Sequence, residues 1–351
     1  FFTRRVGARL PDGVPQRVLF GGKLTGKLEA WSLGMLDAVT ERTRFLDPGT
    51  LTTQTAPQAN FFVLRLQRDI FRNSSFGLLT ANRDQSPADI GSRQRVHAAD
   101  LNIVAGPHIR WTSQMAYNQN HTTTRGGIHR LAAFSQFFYN SDRWVTGAGY
   151  KYLGRGFDVS DLGFEPETDR HSSFAFVRYQ PFLNRHALRQ VFFEVNQDIS
   201  LDTSGLTQDS GSDADLSALF KNFWGARVRY SYDVVRFNAF TGQPNCAPPP
   251  ACQPAFTALD ATRAYVIPRV RFFLNSNAQR PVFFNYAFTW QKFAQFAENF
   301  YGRGSAHDLG LEARLLGRTR VQLRGLWVRE FLLDGTPFQN RRLFVARVHY
   351  Q

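Results

Sequence analysis

The chain has no run of 18 or more apolar residues, so no segment can cross a bilayer as a helix. Cysteine occurs only at Cys246 and Cys252. Two thiols without a nearby histidine cannot complete a structural zinc site. Glycine-rich phosphate loops and metal-ligand spacings are also missing, so neither a cofactor nor a metal is expected. Lysine is scarce, at Lys23, Lys27, Lys151, Lys221 and Lys292, and the net charge of +14 is carried by arginine. No linker divides the 351 residues, because each Pro- or Gly-rich stretch lies between two strand-like runs. One domain, 1–351, is expected. The start at Phe1-Phe2-Thr3, without an initiator Met or signal peptide, reads as a fragment of a longer protein.

What the chain does have is alternation. Val282, Phe284, Tyr286, Phe288 and Trp290 share one strand face, and Asn285, Thr289 and Gln291 the other. The same pattern predicts strands at 2–9, 16–27, 30–40, 60–71, 75–83, 95–105, 108–118, 127–139, 143–153, 172–181, 189–200, 218–230, 233–241, 261–274, 281–292, 304–315, 319–331 and 341–350. Short connections, such as 72–74, 106–107, 140–142, 275–280 and 317–318, alternate with long ones at 41–59, 84–94, 154–171, 201–217, 242–260 and 293–303. The expected fold is all-β: an antiparallel transmembrane β-barrel of about 18 strands, with short periplasmic turns and long extracellular loops. Aromatics make up 15% of the chain, with 34 Phe. Trp31, Trp111, Trp144, Trp224, Trp290 and Trp327 fall near predicted strand ends, as interfacial girdles require.

A basic chain first suggests nucleic acid. Here the charges lie inside the alternating strands instead of forming one exposed stripe, so a soluble nucleic-acid-binding protein is the weakest reading. In a barrel the same alternation turns Arg227 and Arg229 away from Ala226, Val228 and Tyr230, into the lumen. The predicted pore lining is Arg65, Asp69, Arg110, Glu194, Arg227, Arg229, Arg263, Arg269, Arg271, Glu312 and Arg324. Gln67, Asp100, Asn102, Gln114, Asn196, Asp198, Asp308, Arg314, Gln322 and Arg347 belong to the same set. A cation-rich lining prefers anions. The competing reading is an ion-pair lattice that braces the wall or seats a plug.

Asn-Cys-Ala-Pro-Pro-Pro-Ala-Cys is short and stiff, so a Cys246–Cys252 disulfide in an extracellular loop is expected, with free thiols as the alternative. Asp158, Asp161, Glu165, Glu167 and Asp169 read as a solvated acidic loop, since their spacing does not match a calcium loop. Asp202, Asp209, Asp213 and Asp215, among Ser and Gly, read as a flexible loop. His121, His129 and His171 sit near predicted outer strand ends without a nucleophile–base–orienter arrangement, so no enzyme is expected.

Phe1-Phe2-Thr3-Arg4-Arg5-Val6-Gly7 is followed by Gly21-Gly22-Lys23-Leu24-Thr25-Gly26-Lys27, then by Arg68-Asp69-Ile70, Ser74-Ser75-Phe76-Gly77 and Thr80-Ala81-Asn82-Arg83. Gly156-Phe157-Asp158 and Leu162-Gly163-Phe164 complete the series. In this order the motifs resemble a bacterial outer-membrane β-barrel family of unknown function. Its members usually carry an N-terminal domain similar to family-9 carbohydrate-binding modules, and this sequence is expected to start just after it. The resemblance implies the outer membrane and no catalytic residues. Membrane lipid and periplasmic or surface proteins are the expected partners. Passage or escort of hydrophilic solutes, anions or carbohydrates, is the leading functional expectation. A non-conducting anchor or scaffold barrel is the alternative.

Overall fold

A computed structural model describes residues 6–85, 93–120, 127–159, 162, 168–236, 263–295, 300–315 and 318–350. Among the described residues the fold is all-β apart from a 3-10 turn, Gly127–Arg130. Nineteen strands follow in order. The first nine are β1 (Val18–Leu28), β2 (Trp31–Thr40), β3 (Thr43–Asp47), β4 (Thr52–Ala56), β5 (Ala59–Ile70), β6 (Ser74–Gln85), β7 (Arg93–Ala105), β8 (Ile109–Asn120) and β9 (Leu131–Asn140). The others are β10 (Trp144–Leu153), β11 (Arg170–Tyr179), β12 (Leu188–Leu201), β13 (Thr207–Phe220), β14 (Gly225–Arg236), β15 (Ala264–Asn275), β16 (Val282–Gln295), β17 (Phe300–Leu315), β18 (Thr319–Leu332) and β19 (Pro337–Tyr350). Seventeen of them belong to one sheet, and β3 and β4 form a separate hairpin.

Two compact units result. One comprises Phe1–Phe138, Gly149–Ser172 and Asp202–Ser204; the other comprises Tyr139–Ala148, Ser173–Leu201 and Gly205–Gln351. In the first, β2 pairs with both β1 and β5, and β5 to β8 follow as antiparallel neighbours in chain order. In the second, β12 to β19 do the same. Such strands need only tight turns, and 29–30, 71–73, 106–108, 141–143 and 221–224 supply them.

Several expectations need correction. Residues 6–9 are not a strand; Arg9 only bridges Pro15. The expected loop 41–59 contains the β3–β4 hairpin. The expected loop 201–217 is mostly β13, and 218–230 spans the end of β13, a turn and the start of β14. Asp, Ser and Gly disfavour strands as isolated residues, but pairing on both sides overrides that preference. Of the strand expected at 233–241, residues 233–236 are the last described part of β14, and 237–241 lie outside the described residues. Trp31, Trp111 and Trp144 lie at or near strand starts and Trp224 just before one, whereas Trp290 and Trp327 lie inside β16 and β18. Cys246, Cys252, His121, Asp161, Glu165 and Glu167 lie outside the described residues.

The alternation survives in the burial pattern. Along β13 and β14, Leu216, Val228 and Tyr230 are 55%, 47% and 45% exposed, whereas Asp215 is 5% exposed. Large apolar groups therefore face outward along these strands and charged groups lie against their neighbours. That inverts the ordinary arrangement for a water-soluble sheet.

Candidate pore-lining face and infolded loop

In the first unit, register places the predicted polar residues on one face. Gln67, Gly77, Asp100 and Gln114 form one cross-strand row, and Asp69, Ser75, Asn102 and Thr112 the next. Arg65 reaches across β6 to β7 and grips Asp100 with two hydrogen bonds, 2.7 and 2.9 Å. Gly77 makes that reach possible. A Cβ there would lie 2.6 Å from Asp100 Oδ2 and 2.8 Å from Arg65 Nη2. Asp69 pairs with Lys27 at 2.6 Å. Arg110 is exposed, and it and Lys23 have no carboxylate partner among the described residues.

The long-connection end of this face is apolar. Ala59, Phe61, Val63, Ala81, Val96 and Leu162 form a buried cluster, with Val159 packed against it. Residues 154–159 and 162, after β10, fold onto the sheet, leaving Phe157 6% and Leu162 2% exposed. Gln94 Nε2 and Asn118 Nδ2 donate to the Asp158 carbonyl at 3.1 and 3.2 Å. This part of the loop is therefore docked, not the solvated loop the acidic residues suggested. Apolar burial drives the docking, and two side-chain amides satisfy the carbonyl carried in with it.

The base of the loop is clasped. Arg155 Nε donates to Asp169 Oδ1 at 2.8 Å, and the Thr203 backbone N–H donates to the same oxygen at 3.1 Å. The Thr203 hydroxyl donates there as well. Partial burial pushes the Asp169 carboxyl up, but the hydrogen bonds from Thr203 and Arg155 outweigh it and hold the group below its ordinary value. A lowered folded-state pKa stabilises above the unfolded value, about 3.9, and the contribution disappears as pH falls through the folded value. Asp169→Asn should therefore lower the unfolding midpoint at pH 6, and the difference from the parent should shrink toward zero at pH 2. A pH-independent difference would refute the clasp.

In the second unit, β13 supplies carboxylate partners for the arginines of β14. Arg227 Nε donates to Asp215 at 2.5 Å and stacks 5.9 Å from the Phe273 ring. Arg229 Nε lies 3.5 Å from Asp213 and 3.8 Å from Asp215. Arg178 pairs with Glu194, which also accepts from Asn196 at 2.9 Å. Arg269 donates to Gln291 at 2.8 Å, with Asp233 3.8 Å away. Arg271 lies directly opposite Arg229. The face shared by β11 to β15 thus holds Arg178, Arg227, Arg229, Arg269 and Arg271 against Glu194, Asp198, Asp209, Asp213, Asp215 and Asp233. It is nearly charge-balanced. Arg263 is exposed and precedes β15. The signal for β13 was present: Asp209, Gly211, Asp213 and Asp215 alternate with period two.

On β17 to β19, Glu312 accepts from Arg320 at 2.5 Å and from Arg314 and Gln322 at 3.0 Å. Arg324 grips Asp308 with two hydrogen bonds. Asp308, Glu312, Gln322 and Arg324 line a cavity of about 480 Å³ together with Arg347, which is exposed and has no carboxylate partner among the described residues. The two described histidines near the rim do not form a catalytic set. His171 shares a 2.5 Å hydrogen bond with the Tyr150 hydroxyl, and His129 belongs to the 3-10 turn.

Among curated proteins none matches the chain. Solved structures with a similar course include Pseudomonas aeruginosa OccK7 (OpdD), at 10% identity over 93% of this chain and 90% of that chain, TM-score 0.45. Acinetobacter baumannii OccAB2 matches at 10% identity over 93% and 91%, TM-score 0.42. Pseudomonas aeruginosa OccK10 (OpdN) matches at 10% identity over 93% and 98%, TM-score 0.41. A family model matches residues 15–300, the span holding the Gly21–Lys27, Ser74–Gly77 and Gly156–Asp158 motifs, and the chain belongs to the family described as Domain of unknown function (DUF5916).

Proposed function

We propose that this sheet is the wall of a β-barrel in a Gram-negative outer membrane, and that the barrel passes or escorts hydrophilic solutes, anions or carbohydrates. The observation that carries the reading is the segregation of side chains by strand face. Leu216, Val228 and Tyr230 lie outward in large part, while Asp215, Arg227 and Arg229 pair with one another on the other face. Water would not favour that arrangement; lipid outside and a wet lumen inside would. Strands of ten to sixteen residues are long enough to span the hydrocarbon when tilted. Lipid is then the principal partner, and Arg65, Asp69, Arg110, Glu194, Arg227, Arg229, Arg269, Arg271, Glu312 and Arg324 face the lumen. Arg263 stands at its rim.

Anion preference rests on cations without carboxylate partners. Lys23, Arg110 and Arg347 are the favourable candidates, because Arg227 and Arg324 are already neutralised by Asp215 and Asp308. In planar bilayers under a potassium chloride gradient, the reversal potential should report anion preference. Arg110→Glu and Arg347→Glu should each move it toward cations. Cation preference of the parent protein would contradict the proposed lining.

A second reading is a non-conducting anchor or scaffold for a periplasmic module or surface complex. It is favoured by the docked loop, whose Phe157 and Leu162 occupy part of the inward face. Silence in the same bilayers, persisting after shortening of residues 157–162, would favour it.

A further inference from the structure

On the outward face of β16 to β19, in the second unit, charge is confined to one end. From the turns 276–281 and 316–318 up to Trp290 and Trp327, the outward positions of these strands carry no charged residue. At and beyond that aromatic pair stand Lys292, Arg303, Arg329 and Arg342. Register puts all four on the one face. Lys292 lies directly opposite Arg303, Arg329 opposite Ser305 and Asn340, and Arg342 opposite Trp327. The three arginines are exposed, and none of the four cations has a carboxylate partner among the described residues. The carboxylates of these strands, Asp308, Glu312 and Glu330, lie on the other face, across from Leu326, Gln322 and Gly304. Like charges directly opposite each other destabilise a strand pair, and Lys292 with Arg303 is such a pair. Arg303 and Arg329, and Arg329 and Arg342, are diagonal neighbours. The sheet therefore offers this cluster no anion, and the cluster sits at the end that also carries the connection 237–263.

We propose that Lys292, Arg303, Arg329 and Arg342 hold the phosphates of a lipid in the outer leaflet, a glycolipid with a bisphosphorylated disaccharide headgroup. The site rests on the reading of this face as the lipid-facing wall of a barrel. Long connections mark the outer side of such a barrel, so the cations meet the outer leaflet. Trp290 and Trp327 stand where acyl chains give way to headgroups, and the chains lie along Phe288, Leu309 and Leu323. Arginine grips phosphate oxygens bidentately and lysine adds a point charge. Three interstrand spacings separate β16 from β19, about 14 Å. That is wider than one phosphate and suits a disaccharide phosphorylated at both ends. The cluster continues an apolar face, which favours a lipid over a soluble anion. The inference goes beyond solute passage, because these residues point away from the lumen.

Native mass spectrometry of the full chain in detergent micelles tests the proposal, with diphosphoryl lipid A, monophosphoryl lipid A and phosphatidylglycerol as the added lipids. Diphosphoryl lipid A should bind at least about fivefold more tightly than the monophosphoryl form, and phosphatidylglycerol more weakly still. Lys292→Gln and Arg342→Gln should each weaken binding of diphosphoryl lipid A about fivefold, and the double variant roughly 25-fold. Arg341→Gln is the control. Arg341 is next to Arg342 in sequence but lies on the other face, across from Val328, so its loss should leave the affinity unchanged. Circular dichroism confirms the β content of each variant, and for one that fails to fold Arg329→Gln takes its place. Phosphatidylglycerol binding as tightly as diphosphoryl lipid A, unchanged affinity in the double variant, an equal loss in Arg341→Gln, or no lipid A on the folded parent would overturn the proposal. The measurement uses neither conductance nor a bilayer. Its failure in a folded, detergent-dependent protein removes this site alone, whereas a monodisperse detergent-free form would remove the barrel reading and the site with it.

Discussion

Arginine in place of Val228 is expected to destabilise the folded protein in a bilayer by about 2–4 kcal/mol, if the residue sits near mid-membrane. Val228 is 47% exposed on β14, and its cross-strand neighbours are Leu216 and Phe272. Phe272 in turn faces Phe288 on β16. A guanidinium in that row meets neither an anion nor water, and must snorkel or drag water into the hydrocarbon. Ala287→Arg is the matched control. Ala287 lies on the opposite face of β16, directly across from Asp308. Arginine there should change stability by only about 0.5 kcal/mol. Equilibrium unfolding in lipid vesicles, followed by tryptophan fluorescence, compares the two. Equal costs would contradict the assignment of the faces.

Gly154→Ala should have the second large effect, about 1–3 kcal/mol, the range for forcing an extra carbon into a packed site. A Cβ at Gly154 would lie 2.3 Å from the His129 carbonyl oxygen, 2.6 Å from its carbon and 2.9 Å from its Cα. These are backbone atoms, so no rotamer change relieves the clash. The 3-10 turn or the loop must move. Two hydrogen bonds fix that contact: Gly154 N–H to the Leu131 carbonyl at 3.0 Å and Gly156 N–H to the His129 carbonyl at 2.8 Å. Displacing them lifts the segment carrying Phe157 and Leu162. Amide hydrogen exchange should then lose protection at Phe157 and Leu162, whose N–H groups bond to Gly154 and Val159 within the loop. Unchanged protection would mean that the loop is not anchored through this contact.

Sequence alone made most strands legible, because period-two alternation is a local signal. Val282 to Trp290 lies within β16, and Arg269 and Arg271 fall on one face of β15. Where the alternating residues were themselves β-disfavouring, the reading failed. Thr207–Phe220 looks like a loop by composition, and its carboxylates make sense only beside the arginines of β14. That information lies across strands and not along them. The near balance of charge on the face shared by β11 to β15 is invisible along one strand for the same reason, because its carboxylates lie on β13.

The docked loop was partly legible. Ala59, Phe61 and Val63 alternate with Phe62 and Leu64, so the start of β5 is apolar on both faces. A strand apolar on both faces needs cover on both. Ala81, Ala98 and Ala116 repeat the hint on β6 to β8, and Phe157, Val159 and Leu162 are the apolar residues available to cover them. The pairing of Asp169 with Thr203 had no local signal, since the two lie on different connections.

The central claim is that the two faces of this sheet meet lipid and lumen. Single cysteines carrying an environment-sensitive fluorophore, placed in turn at positions 226 to 232 with Cys246 and Cys252 replaced by alanine, test it most directly. In vesicles containing brominated lipid, quenching should alternate with period two: strong at 226, 228, 230 and 232, weak at 227, 229 and 231. Uniform quenching along β14, or none at any position, would contradict the account.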